Sequence, residues 1–223
     1  MIRRGLPILF ALAVACGGSG SDAPIPPVEE VLEQTRSAMA AVDTADFEMT
    51  VSGAPVEITG LEFLKATGSY AAPDRAQAIL SMNVGSITIA LATISVGART
   101  WLTDPLTREW TELAPGIGFN PAVLFGDEGW TALFSGALVE PQIEGTAGGR
   151  YVLTAIAPAD RVERLTAGVV SGQAVEIEFL IDRASGRVVG ADFTTTAPAG
   201  ETRWRIRLGS FDEPVEIEAP IPG

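Results

Sequence analysis

Histidine is absent from this 223-residue chain; cysteine occurs once, at Cys16, and lysine once, at Lys65. Without histidine the chain cannot build a Ser-His-Asp or Cys-His nucleophile, a His-ligated zinc site or the usual neutral-pH proton shuttle. Serine with lysine would remain, but no S-x-x-K precedes Lys65 in LEFLKATG. A lone cysteine allows no internal disulfide. Basic residues are also few, 15 against 28 acidic, for a net charge of −13. So acidic a body argues against nucleic acid and against electrostatic docking on an anionic membrane. Carboxylates could still pair for acid–base work, and Asp127 with Glu128 or Asp182 with Glu178 are the candidate pairs. Most carboxylates fall on alternating strand positions, where a solvated face explains them. The reading is therefore of a protein that is not an enzyme, with no cofactor and no metal.

What the chain does have begins at the N-terminus. Arg3 and Arg4 precede an apolar run, from Leu6 to Ala15, broken by Pro7. That run is far short of the ~20 residues a membrane-spanning helix needs. It reads as a secretory signal peptide over residues 1–15. Cys16 directly follows Ala15 and leads into Gly-Gly-Ser-Gly-Ser-Asp, which resembles the lipobox of bacterial lipoproteins. Acylation of the Cys16 thiol would make it the new N-terminus, and two acyl chains give a lasting anchor. The favoured leucine three residues before the cysteine is Ala13 here. A plain secreted protein with an incidental cysteine is the alternative. Residues 16–27 then form the lipidated cysteine and a tether. Residues 28–219, about 200 residues, suit one domain with a substantial core.

Beyond Pro27 the pattern is first helical. Val28, Val31, Leu32, Thr35, Ala38, Met39 and Val42 recur at three- and four-residue spacing, and Glu29, Glu30 and Glu33 sit in the first turns. The period then becomes two: Phe47, Met49 and Val51; Ile87, Ile89 and Leu91; Val175, Ile177, Phe179 and Ile181, the last set opposite Glu176, Glu178 and Asp182. Turn residues at Pro73-Asp74, Asp104-Pro105 and Ala184-Ser185-Gly186 separate such runs. One large antiparallel sheet follows from this spacing. Two stretches break the pattern, NPAVLFGDEGWTALFSG (120–136) and PADRVERLTAGVVSG (158–172), and both read as helical.

Such a sheet curls, and helices are the only cover for its apolar face. Glycines at 116, 118, 126, 129 and 136 punctuate the first interruption, so two short helices hinged at 126–129 form a candidate lid. The competing interpretation is that these residues plug an ordinary core.

The order of these segments carries a resemblance. A hairpin ends in W-x-x-L, Trp110 to Leu113. Asn120, Pro121, Ala122, Leu124, Asp127, Gly129 and Leu133 then match a [DN]-P-A-x-x-L…D-x-G-x-x-x-L segment. A G-x-Y strand start (Gly149 to Tyr151), a W-x-I-x-L strand (Trp204 to Leu208) and a closing Pro214-Val215 follow. Together they resemble the LppX/LprAFG lipoprotein family of actinobacterial-type envelopes, over essentially the whole of residues 28–219. The resemblance implies an α+β half-barrel, a strongly curved antiparallel sheet with helices in its concave face, similar to the LolA/LolB-type carriers. It also implies an apolar cavity for the acyl chains of envelope lipids or glycolipids, and a role in carrying or transferring them outside the cytoplasmic membrane. The implied partners are a di- or triacyl lipid or glycolipid, the membrane through the acylated N-terminus, and a lipid exporter; a monomer is expected.

The candidate lining residues are Met49, Val51, Ile87, Ile89, Leu91, Val123, Leu124, Phe125, Trp130, Leu133, Phe134, Ile177, Phe179, Phe193 and Ile206. Each reads equally well as ordinary core. The alternative function is a non-catalytic interaction protein, chaperone-like or regulatory, with a filled interior.

Overall fold

The computed structural model describes residues 24–58, 60–114, 120–125, 129–166 and 168–220. The signal peptide, Cys16 and most of the tether lie outside the described residues, as do Gly116, Gly118, Gly126, Asp127 and Glu128.

Chain order begins with helix α1 (Val28–Ala40) and strands β1 (Thr44–Gly53), β2 (Val56–Ile58), β3 (Leu61–Ala71), β4 (Arg75–Val84), β5 (Ile87–Val96), β6 (Arg99–Thr103) and β7 (Trp110–Glu112). A 3-10 turn (Pro121–Leu124), a one-turn helix α2 (Trp130–Ala132) and a wide π-type turn (Leu133–Ala137) follow. The rest is β8 (Val139–Ala147), β9 (Arg150–Ala157), helix α3 (Ala159–Leu165), β10 (Val175–Asp182), β11 (Val188–Ala197) and β12 (Gly200–Gly209). All twelve strands join one antiparallel sheet in the order β7-β6-β5-β4-β3-β1-β12-β11-β10-β9-β8, with β2 paired to β3 off this path. The sheet does not close, because β7 and β8 remain its two edges. The architecture is thus an open, curved half-barrel with short helices on the face that buries its apolar side chains.

Alternation decides which side chains enter. Ala45, Phe47 and Met49 of β1, Leu80 and Met82 of β4, Ile177, Phe179 and Ile181 of β10, and Trp204, Ile206 and Leu208 of β12 are buried. Their neighbours along each strand, such as Glu48, Glu176, Glu178, Arg203 and Arg205, point outward. Two bulges shift the parity. Pairing jumps between Phe63 and Lys65 of β3, so Phe63 and Ala66 both face in. It jumps again where Leu180 and Ile181 of β10 meet β11 opposite Gly190 and Val188. On the outer face Asp192 accepts from both terminal nitrogens of Arg207, at 2.7 and 2.8 Å, and Lys65 pairs with Glu48 at 2.5 Å. The exposed Lys65–Glu48 pair adds little stability, whereas the half-buried, two-pronged Arg207–Asp192 pair ties β12 to β11.

The helices are shorter than the sequence pattern suggests. α1 stops at Ala40, so Val42 is buried from beyond its end. The second helical stretch yields only Ala159–Leu165. The Thr166 hydroxyl donates back to the Val162 carbonyl, and the Gly168 amide to that of Glu163, which ends the helix. β8 reads poorly as a strand, since Pro141 and Gly145 interrupt it and Glu140 takes a positive φ. It forms because it lies at an edge, where missing donors and irregular pairing are tolerated.

Candidate acyl-binding face

The inserted segment, 120–125 and 129–137, sits over the concave face and is built from its termini inward. Asn120 is extended, and its side chain accepts from the Ala122 amide at 3.0 Å. That cap, with Pro121 in the first position, starts the 3-10 turn. Gly129 is required by close approach: a Cβ there would lie 2.1 Å from the Leu124 carbonyl oxygen. The Gly129 carbonyl accepts from the Leu133 amide at 3.1 Å and begins the second helical piece. Gly136, at φ 89°, ends it.

Three aromatic side chains dock the segment on the sheet. Phe125 stacks on Tyr70 with ring centroids 4.4 Å apart and lies 6.4 Å from Phe47. Trp130 meets Phe179 edge-on at 6.4 Å, and Phe134 meets the same ring at 5.0 Å. Such pairs add a directional preference to burial. α1 packs against α2 and the π-type turn from the other side, with Val31, Thr35 and Met39 buried. Nearby, Phe63, Trp204 and Phe193 form a separate stack, 6.4 and 5.9 Å apart, and the Trp204 Nε1 donates to Thr195 Oγ1 at 2.9 Å.

Most of the candidate lining residues fall in this region. Met49, Leu91, Leu124, Phe125, Trp130, Leu133, Phe134, Ile177, Phe179, Phe193 and Ile206 are buried in the core, and Val51 and Ile89 are partly buried against it. Two stand apart. Ile87 is 65% exposed at the β4–β5 turn, and Val123 is 42% exposed on the 3-10 turn. Ile87, Ile89 and Leu91 still share one face, paired with Val84, Met82 and Leu80. They form an apolar ramp from solvent into the core. Sequence reasoning passed over the docking partners Tyr70 and Phe47 and the stacked Trp204 as members of this face, although each follows the inward parity of its strand.

Among the described residues no cluster of three His, Cys, Asp or Glu side chains could hold a metal ion. Asp182 accepts from the Ser185 hydroxyl and amide in the β10–β11 turn, at 2.7 and 2.8 Å. Those hydrogen bonds hold its carboxyl below the usual carboxylate range, opposite to the shift a general acid needs. The other candidate carboxylate pair lies outside the described residues. No described helix is long and apolar enough to cross a membrane.

A scan against protein-family models finds no match, and no curated protein matches the chain. Solved structures do match. LprF from Mycobacterium bovis superposes with a TM-score of 0.66 at 16% identity, over 90% of this chain and 99% of that one. The Mycobacterium tuberculosis lipoprotein LppX superposes with a TM-score of 0.59 at 17% identity, over 86% of this chain and 98% of that one. The half-barrel suggested by the sequence is therefore the fold these two proteins share with this chain.

Proposed function

We propose that this chain is a lipoprotein, acylated on Cys16 and held outside the cytoplasmic membrane by residues 16–27, that binds acyl chains of envelope lipids and carries or transfers them. It acts without catalysing a reaction. The observation that carries this reading is the cover of the concave face. Only α1 is a continuous helix there; the rest of the described cover is a 3-10 turn, a three-residue helix and a π-type turn. Short pieces of this kind gain little from their own backbone hydrogen bonds and depend on aromatic docking. An acyl chain can compete for the same apolar surface, since each buried methylene contributes about 0.8 kcal/mol. The fold likeness to LprF and to the lipoprotein LppX supports the same reading.

Loading requires the inserted segment to move, because Leu124, Trp130, Leu133 and Phe134 fill the interior with at most 3% exposure. That filled interior also favours the second reading, an interaction protein whose core never opens. The deciding experiment is native mass spectrometry with lipid extraction on the chain expressed from Ser19 onward, lacking Cys16. One co-purifying acyl lipid per protein, or uptake of added lipid, supports the carrier. A protein that stays lipid-free and refuses added acyl lipid supports the second reading. Leu124→Trp and Leu133→Trp enlarge the segment where chains would lie, and each should abolish loading while the domain stays folded at a cost of about 1–3 kcal/mol from overpacking.

A further inference from the structure

α3 meets the inserted segment along a seam lined by Val123, Leu124 and Leu133 and, on α3, by Arg161, Arg164 and Leu165. With the inserted segment docked the seam is closed, its gaps too narrow for a water molecule. Two guanidinium groups three residues apart are out of place here, since the chain carries only 15 basic residues and the seam is otherwise apolar. Arg164 is held by an interaction of its own. Arg161 differs, because its Nε is buried with no hydrogen-bond partner. It is ion-paired at 3.3 Å with the Asp160 carboxylate, whose side chain is 65% exposed, but that contact is not a hydrogen bond, and the Arg161 side chain as a whole is 25% exposed. A buried guanidinium N–H left without an acceptor is costly and signals a missing partner. The planar fork of arginine fits a carboxylate or phosphate better than any other partner.

We infer that this seam is the head-group site for an acyl ligand with an anionic head, carboxylate or phosphate, and that Arg161 is its principal anion ligand. The inference rests on the acyl-binding reading and adds the chemistry of the head. When the inserted segment moves aside, as loading requires, the anion accepts from Arg161 at the opened rim, under the positive potential of Arg164. The chain extends past Leu124 and Leu133 into the space held by the inserted segment.

The test uses the full chain in membranes with photoactivatable C16 probes: a fatty acid, the corresponding primary alcohol, and a monoacylglycerol phosphate with its neutral monoacylglycerol. Each anionic probe that fits should label about tenfold more than its neutral counterpart, the worth of a charge-assisted hydrogen bond. Arg161→Gln should bring the two to parity while neutral-probe labelling and the melting temperature hold, and Arg161→Lys should restore part of the preference. The acid and the phosphate pairs separate the two head chemistries, and preference in either supports the site. Equal labelling of anionic and neutral probes by the unaltered chain overturns the head-group site and leaves acyl binding standing. Preference that survives Arg161→Gln overturns it as well. So does displacement of the anionic probes by inorganic phosphate alone at comparable concentration, which would mark an anion site independent of acyl chains. No labelling by any probe overturns both this inference and the acyl-binding reading.

Discussion

The two flanks of the concave face obey one rule and end differently. On the β9–β12 flank, inward residues are buried to the strand ends: Leu153, Ile177, Phe179, Ile181, Trp204 and Ile206 are all fully covered. On the β4–β5 flank, Leu80 and Leu91 are buried at 6%, whereas Val84 and Ile87 at the turn are 48% and 65% exposed. Alternation is equally regular on both. What differs is the cover, since Trp130 and Phe134 dock on Phe179 whereas Val84 and Ile87 lie open to solvent. Strand periodicity therefore assigns a side chain to a face, and only the elements packed above that face decide whether it is core.

The largest test of this contrast is a pair of truncations. Phe179→Ala removes the ring beneath both docked aromatics and should cost about 3–5 kcal/mol in urea unfolding. Ile87→Ala should change stability by less than about 0.5 kcal/mol, as exposed positions usually do. Comparable losses would mean the β4–β5 ramp is covered in solution. A sharper probe is Ile87→Asp, which should leave the unfolding midpoint in place and slow acyl uptake, measured with a fluorescent fatty acid. Unchanged uptake would remove the ramp from the entry route.

A smaller effect is expected at the start of the inserted segment. Asn120→Ala deletes the cap on the Ala122 amide and should destabilise by about 1 kcal/mol. The loosened cover should also raise the rate of lipid uptake, an increase that a cap unrelated to opening would not produce. The smallest effect is on pH dependence. Asp182 is lowered chiefly by the Ser185 hydroxyl, so its contribution is complete above the ordinary carboxylate pKa. It is lost as the pH falls through the lowered value. Asp182→Asn should flatten the acid limb of the stability curve, and an unaltered limb would assign acid sensitivity to other carboxylates.

Much of the fold was legible before any coordinates. The helix over Val28–Ala40, the period-two runs of β1, β5 and β10 and the turns at Pro73-Asp74 and Ala184-Ser185-Gly186 all follow from local pattern. β8 was not, because Pro141 and Gly145 erase its alternation and pairing to β9 alone holds it. Nor was the shift at Phe63, since a bulge inserts one residue that no period reveals. Trp204 and Tyr70 escaped notice as members of the candidate face because their roles come from partners distant in sequence, Phe193 and Phe125.

By itself the sequence determined the absence of histidine chemistry, the acidic net charge and the inward parity of most strands, because composition and a local period of two require no knowledge of neighbours. The tertiary structure alone decided that the helical interruption breaks into short pieces over Phe179 and Tyr70, and that Ile87 stays in solvent. It also set Arg161 beside an apolar seam. These are properties of elements brought together from across the chain, where the buried surface of one is created by the shape of another.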